Sequence, residues 1–419
     1  MTIFVALAFA GVASASITPT YDVSPSTTQA AGHPDTTYSL SVSGDALETY
    51  TLSMAPGTAF NWAAPTSLCT SGDFYDDDCP SASQVGTATA NITFGSATSV
   101  SGTIYELEAD TYDVGTLGIV LRPSGKPKMF LVGHTTLKPL DAAQVMTIDD
   151  IPDTHDGSGI TFNSLDMVIQ ARANSTNSGA YFNNNTHKCS AASTDSVTVT
   201  AHNSSTATTT DGFTATGCGY VDVTGSVSVT PSTTVHDAAF GVTSVSSADR
   251  ADQTIQYGYT KTVQTTFPAD TGISFPALGA LGTCSNNDLM ADNCPSNSDI
   301  GDTETGLPFL PPTWYGDVYI TSVGNSVQFA VVSRGPGGAI VITKGSGSVV
   351  DIGEEESDQR VRTTLTNVPQ QAVSSTTTSI SAAVLTNPSG CQTNVITTKV
   401  TGWSGDYYEN TSSYDTTGC

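Results

Sequence analysis

Positive charge is scarce in this chain. Its 419 residues hold 13 Lys and Arg against 39 Asp and Glu, a formal net charge of −26, and neither Lys nor Arg occurs before Arg122. That balance excludes nucleic acid as a partner, because binding a polyanion requires cations that meet its phosphates. It favours solubility and repulsion from other acidic surfaces. Long apolar runs are also missing. Beyond Ile3–Val12 nothing approaches the ~18 apolar residues of a membrane span, so no span is expected in the mature chain. Long helical periodicity is absent, and the best helical candidate is a turn or two at Asp141-Ala-Ala-Gln144. There is no Gly-x-Ser-x-Gly elbow in a strand-to-helix setting and no Gly-x-x-x-x-Gly-Lys phosphate loop. The six histidines, His33, His134, His155, His187, His202 and His236, show no metal-ligand spacing. A nucleophilic triad has no support in this pattern, and no enzyme activity is expected.

What the chain does have is a repeat. Cys69 and Cys79 enclose nine residues and lead into Pro80-Ser-Ala-Ser-Gln-Val-Gly86; about 215 residues later, Cys284 and Cys294 enclose nine and lead into Pro295-Ser-Asn-Ser-Asp-Ile-Gly301. Val23-Ser-Pro-Ser-Thr-Thr28 returns as Val229-Thr-Pro-Ser-Thr-Thr234, Gly102-Thr-Ile-Tyr105 as Gly316-Asp-Val-Tyr319, and Ile151-Pro152 as Val368-Pro369. Asn185 stands four residues before Cys189, and Asn387 four before Cys391. Cys218 and Cys419 close the two copies. Self-similarity at this period sets the architecture first. It divides the chain into 17–224 and 225–419, preceded by residues 1–16.

Short strand signals dominate both copies. Tyr38-Ser-Leu-Ser-Val-Ser43, Leu117-Gly-Ile-Val-Leu121 and Val327-Gln-Phe-Ala-Val-Val332 are rich in β-branched or alternating apolar residues, and Gly, Pro, Asn and Asp separate such runs. The expected fold is all-β: two tandem homologous β-sandwiches, Ig-like, stapled by disulfides. Each copy has about 200 residues, enough for one enlarged sandwich or two fused small ones, and both remain open. The even cysteine count in a repeated pattern indicates disulfides and an oxidising compartment. Short sequential loops close most easily, which favours Cys69–Cys79, Cys189–Cys218, Cys284–Cys294 and Cys391–Cys419. Nine intervening residues do not suit structural zinc.

Residues 1–16 carry an apolar run and a small-residue Ala13-Ser-Ala15 pattern, which reads as a secretory signal. No basic residue precedes the run. Ile3, Val5, Leu7 and Phe9 also alternate with alanines, so a second reading is a retained strand that completes a neighbour's sheet.

Few residues carry candidate chemistry. Asp73, Asp76, Asp77 and Asp78 lie inside the first small cysteine loop and are weak calcium candidates; no cofactor beyond calcium is expected. Asp149, Asp150, Asp153 and Asp156 would supply the paired carboxylates of a glycoside hydrolase, yet the second copy has no acid in Leu365-Thr-Asn-Val-Pro-Gln-Gln-Ala372. Glu354, Glu355, Glu356 and Asp358 read as a solvated acidic turn. Trp62, Trp314 and Trp403 would be the platforms of a carbohydrate-binding module, though Trp more often anchors a core. Asn91, Asn174, Asn184, Asn203 and Asn410 head glycosylation sequons.

At Cys79-Pro-Ser-Ala-Ser-Gln-Val-Gly86, Gly102-Thr-Ile-Tyr105, Ile151-Pro152 and Asn387-Pro-Ser-Gly-Cys391, the chain resembles a loose group of secreted bacterial repeat proteins common in actinobacteria. The resemblance spans both copies and implies a surface-exposed all-β protein; it offers no catalytic residues to carry over. Asn185-Thr-His-Lys-Cys189 departs from its pattern by lacking the proline. The resulting expectation is a secreted, non-enzymatic structural protein of the cell surface that self-associates into a fibre, sheath or layer, with surface glycans as the alternative partner.

Overall fold

The computed structural model describes residues 16–173, 180–248, 258–310, 313–352 and 359–419. Residues 1–15, Asn174 and the acidic run at 353–358 lie outside them. The described chain forms two similar sheets in tandem, stapled by Cys69–Cys79, Cys189–Cys218, Cys284–Cys294 and Cys391–Cys419.

The first sheet has eleven strands. In spatial order they are Thr18–Pro25, Thr36–Ser43, Thr161–Ile169, Gln84–Thr93, Ala97–Leu107, Gly115–Leu121, Met129–Leu137, Gln144–Ile148, Leu47–Ser53, Ser193–Ala201 and Thr206–Phe213. The second sheet repeats this order from Gly225–Pro231 to Tyr407–Asp415, with the two-residue strand Gly272–Ile273 added off the path. Each unit is thus one enlarged structure, larger than the roughly seven strands of an immunoglobulin sandwich.

Each sheet rolls up until its two edge strands meet, and side chains close the seam. In the first unit, the Ile17 N–H donates to Ser205 Oγ and the Val23 N–H to Asp211 Oδ2, at 3.4 and 2.9 Å. In the second, the N–H groups of Val223, Val227 and Val229 donate to Asp406, Asn410 and Ser412. The sequence separation is constant along each seam, 188 in the first and 183 in the second, so the edges run parallel. A free sheet edge invites association with other chains; here these five N–H groups of the leading edges are bonded internally.

The repeated motifs are explained by local bonding. Asn185 Nδ2 donates to the carbonyls of Thr27 and Gln29, and Asn387 Nδ2 to those of Thr233 and Val235. In Pro-Ser-x-Ser, the last hydroxyl donates to the proline carbonyl, Ser83 to Pro80 at 2.7 Å and Ser298 to Pro295 at 2.6 Å. The following glycine sits at a bulge beside a neighbouring strand. A Cβ on Gly86 would lie 2.4 Å from the Val168 carbonyl oxygen, and one on Gly301 would lie 1.9 Å from that of Ser379. Among the described residues helical structure is confined to short pieces such as Ser71–Asp76 and Asn286–Met290 in the small cysteine loops. Asp141-Ala-Ala-Gln144 is instead a turn entering the strand Gln144–Ile148, where Ala142 adopts a left-handed backbone.

The two interiors differ although their registers match. Tyr38 pairs with Val23 and Met167, and Ser244 pairs with the equivalent Val229 and Thr378. Leu52 pairs with Met146, and Thr265 with Thr363; Tyr50 pairs with Ile148, and Val263 with Leu365. Large first-unit side chains therefore correspond to Ser, Thr and Val in the second. The interior of the first unit is one large cluster, with small satellites at Ala30–Ala31 and at the Cys69–Cys79 loop, whereas the interior of the second is divided among smaller clusters.

Asp195 breaks the apolar pattern of the first core. It is 2% exposed and accepts from the Ala55 N–H at 2.7 Å and the Tyr21 hydroxyl at 3.0 Å. Burial pushes its carboxyl up to about 6, against the pull of those two donors. The folded value exceeds the unfolded one, so the folded protein binds this proton more tightly. Its stabilising contribution is complete below about pH 4 and lost as pH rises through about 6, a change of roughly 3 kcal/mol at about 1.4 kcal/mol per pKa unit. Urea titrations across this range should show that slope in the wild type and not in Asp195→Asn. An unchanged slope in the variant would assign it to another group.

The units meet through Gln370 and Gln371, which follow Pro369 just as Asp153 and Thr154 follow Pro152. Gln370 accepts from Thr186 Oγ1 and donates to the Pro56 carbonyl, both at 3.0 Å, and Gln371 donates to the Ala142 carbonyl at 2.9 Å. The Tyr259 N–H donates to His187 Nδ1, with the two rings stacked at 3.5 Å. Leu307, Leu310 and Trp314 join the first unit's core cluster.

Candidate functional site

The calcium candidates are engaged locally rather than gathered around a common point. The Thr70 hydroxyl accepts from the Asp73 N–H at 3.1 Å and donates to its carboxylate at 2.8 Å, a reciprocal cap on Ser71–Asp76. Ser285 and Asp288 repeat it. Asp77 takes the left-handed C-cap and binds Arg122 and Lys128. Burial alone would raise its carboxyl, but the hydrogen bonds from Arg122 and Lys128 outweigh this and hold it below the usual range. Asp76 and Asp78 are exposed. In the second unit Asp292 is also left-handed and pairs with Arg334 at 2.7 Å. Arg334 further pairs with Asp317 at 2.6 Å and donates to the Tyr319 hydroxyl. This carboxylate–arginine clamp is common to both units, and sequence reading missed it. The available signal was an arginine ending the corresponding strand in a chain with so few cations.

A histidine and two carboxylates converge in the first unit. The strand Met129–Leu137 places His134 opposite Thr116. The connection before Gly115–Leu121 brings Asp110 and Asp113 to the same ring. His134 Nδ1 lies 2.5 Å from Asp113 Oδ2 and 3.9 Å from Asp110 Oδ2. Asp113 is buried and also accepts from the Thr116 hydroxyl at 3.0 Å. These three residues are the one set among the described residues whose His and carboxylate ligand atoms lie within 4.8 Å of one another. A buried carboxylate on one imidazole nitrogen fixes the ring, as in many general bases and metal ligands. His134 lines a cleft of about 450 Å³ with Ser71, Tyr75, Glu108, Asp149 and Asp150.

The proposed hydrolase carboxylates divide. Asp149 and Asp150 reach this cleft. Asp153 precedes the small hairpin Thr154–His155 and Ser158–Gly159, and Asp156 is one of its turn residues, with φ 51°. Asp150 has φ 51° and the equivalent Asn367 has φ 50°, so this position serves a left-handed turn in both units.

Near the end of the strand Ala97–Leu107, Glu106 is 2% exposed, and its Oε2 has no hydrogen-bond partner. Burial raises its carboxyl well above the usual range. It lines a second cleft with Trp62, Gly115, Leu307 and Leu310. The second unit has Ile320, a buried core residue, in its place. An unsatisfied buried polar group costs about 1–3 kcal/mol. Glu106→Ile should therefore stabilise the protein at pH 7 by that order, measured by urea unfolding. Destabilisation would show that the carboxyl has a partner on which the fold relies.

The tryptophans form no exposed platform. Trp62 and Trp314 are 8% and 0% exposed. Trp403 is half-buried, donates to the Val368 carbonyl and lies beside the ammonium groups of Lys188 and Lys261. Among the sequons, Asn184 is buried and Asn410 bonds the seam, while Asn203 is exposed. Among the described residues no helix is long and apolar enough to cross a membrane.

No family model matches this chain, and no curated protein matches it. Among solved structures, the Protocadherin Gamma B2 extracellular cadherin domains 3-6 are similar at 10% identity over 73% of this chain and 84% of that chain, with a TM-score of 0.08. A score of that size says nothing about shared fold or function, so the architecture rests on the strand order above.

Proposed function

We propose that the chain is a non-enzymatic extracellular structural protein, a self-assembling subunit of a surface fibre, sheath or layer. The observation that carries this reading is the content of the duplication. Both units keep the disulfide staples, the capped cysteine loop, the asparagine bracket, the side-chain seam and the carboxylate–arginine clamp. The His134–Asp113 pair has no counterpart: register places Ser346 at the histidine position. Disulfides agree with an oxidising, extracellular setting, as does the resemblance to secreted bacterial repeat proteins. Electron microscopy of the purified, oxidised full chain should show ordered polymers, and persistently separate particles under all assembly conditions would remove the reading. Deleting residues 1–16 separates the two versions: assembly lost with them supports strand exchange, and assembly retained assigns the contact elsewhere.

One observation favours the glycan-binding alternative, at a different place from the tryptophans. Tyr75 is 56% exposed and lines the acidic His134 cleft, where an aromatic face beside hydrogen-bonding groups suits a sugar. A glycan array with wild type and Tyr75→Ala tests it: binding lost in the variant supports the alternative, and no wild-type binding removes it.

A further inference from the structure

The second unit is hollow where the first is filled. Its interior holds two lobes of about 180 and 160 Å³, which share Ser244, Val263, Val331, Leu365 and Thr378 as walls. The first unit supplies an internal comparison. At the same register it has Tyr38, Tyr50 and Met167 in place of Ser244, Val263 and Thr378, and these large side chains belong to one continuous core. The cavity is therefore a property of side chains, not of the rolled sheet. Empty apolar cavities are destabilising. An engineered apolar cavity of about 150 Å³ is large enough to take up benzene.

The lining defines the occupant. No Asp, Glu, Lys, Arg or His lines either lobe. The walls are mainly Val, Ile, Leu and Phe, with hydroxyls of Ser244, Thr265, Thr363 and Thr378 among them. Along the strand Ser375–Thr386 the walls run from Thr376 in one lobe to Val384 in the other, a length of roughly 25 Å at about 3.3 Å per residue. We propose that this hollow is a binding site for one elongated, uncharged lipophilic molecule, such as a long-chain alcohol or an isoprenoid alcohol. Its chain would lie against the aliphatic walls and its hydroxyl against the Ser and Thr groups. The site is independent of whether the protein assembles.

The test uses the oxidised full chain, with N-phenyl-1-naphthylamine as fluorescent probe and 1-hexadecanol as competitor. Wild type should bind the probe saturably, one per chain, and release it to hexadecanol; alternatively, native mass spectrometry should show a neutral lipid already bound. The variant Ser244→Tyr/Val263→Tyr/Thr378→Met installs the first unit's residues. It should weaken binding at least tenfold and raise the thermal midpoint. If it does not fold, Thr363→Met and Thr378→Met alone should each give a graded loss. A wild type with neither bound lipid nor probe binding overturns the proposal, and so does binding undiminished in every filled variant. Chain association that is lost when the cavity is filled, without lipid binding, identifies a protein segment as occupant and also overturns it.

Discussion

Trp314→Ala is expected to destabilise the protein by about 3–5 kcal/mol, the usual cost of truncating a fully buried large aromatic residue, and to lower its thermal midpoint by roughly 10 °C. Trp314 is 0% exposed. Its indole lies so close to Gly335 that a Cβ there would come 2.3 Å from the ring. It is also placed in the second unit's strand Thr313–Val323 while belonging to the first unit's core cluster. Its loss should therefore uncouple the units and separate one calorimetric transition into two. A single transition shifted by less than about 1 kcal/mol would show that the joint does not depend on this residue.

The second large effect concerns the staples. Cys189 and Cys218 are 29 residues apart, and Cys69 and Cys79 are 10 apart. On the chain-entropy model, removing the longer link by Cys189→Ser/Cys218→Ser should cost roughly 3.5 kcal/mol, and Cys69→Ser/Cys79→Ser roughly 3 kcal/mol. The longer link also fastens Thr206–Phe213 close to the seam, and the Cys218 N–H donates to Cys189 Sγ. Urea midpoints of the two double variants, measured at one pH, give the comparison. Equal midpoints with wild type would mean that these bridges contribute nothing beyond the packed sheet.

The sequence made the all-β class and the duplication readable because both are written in local patterns: alternation, turn residues and repeated cysteine loops. The candidate chemistry was less readable for a physical reason. Asp77 meets Arg122, and Asp113 meets His134, only because strands distant in sequence lie side by side. Asp150 looked like a reactive carboxylate in a list of acids, yet its left-handed backbone matches that of Asn367. Trp62 and Trp314 are core anchors, as the general preference of Trp for the interior suggests, but the room that Gly115 and Gly335 leave for their rings depends on strand pairing. The hollow in the second unit needed a register alignment, since Ser244 and Thr378 in isolation resemble ordinary strand hydroxyls.

The glutamine pair at the joint has a mechanical consequence. Gln370 and Gln371 hold one unit against the next within a chain, whereas Asp153 and Thr154 occupy the corresponding loop of the leading unit. The neutral contact consequently cannot be copied unchanged where one molecule would abut another. A thread of such molecules would alternate between two kinds of coupling, an uncharged one within molecules and an acid-bearing one between them. Under tension it should part at the latter, and its tensile strength should vary with pH and divalent salt.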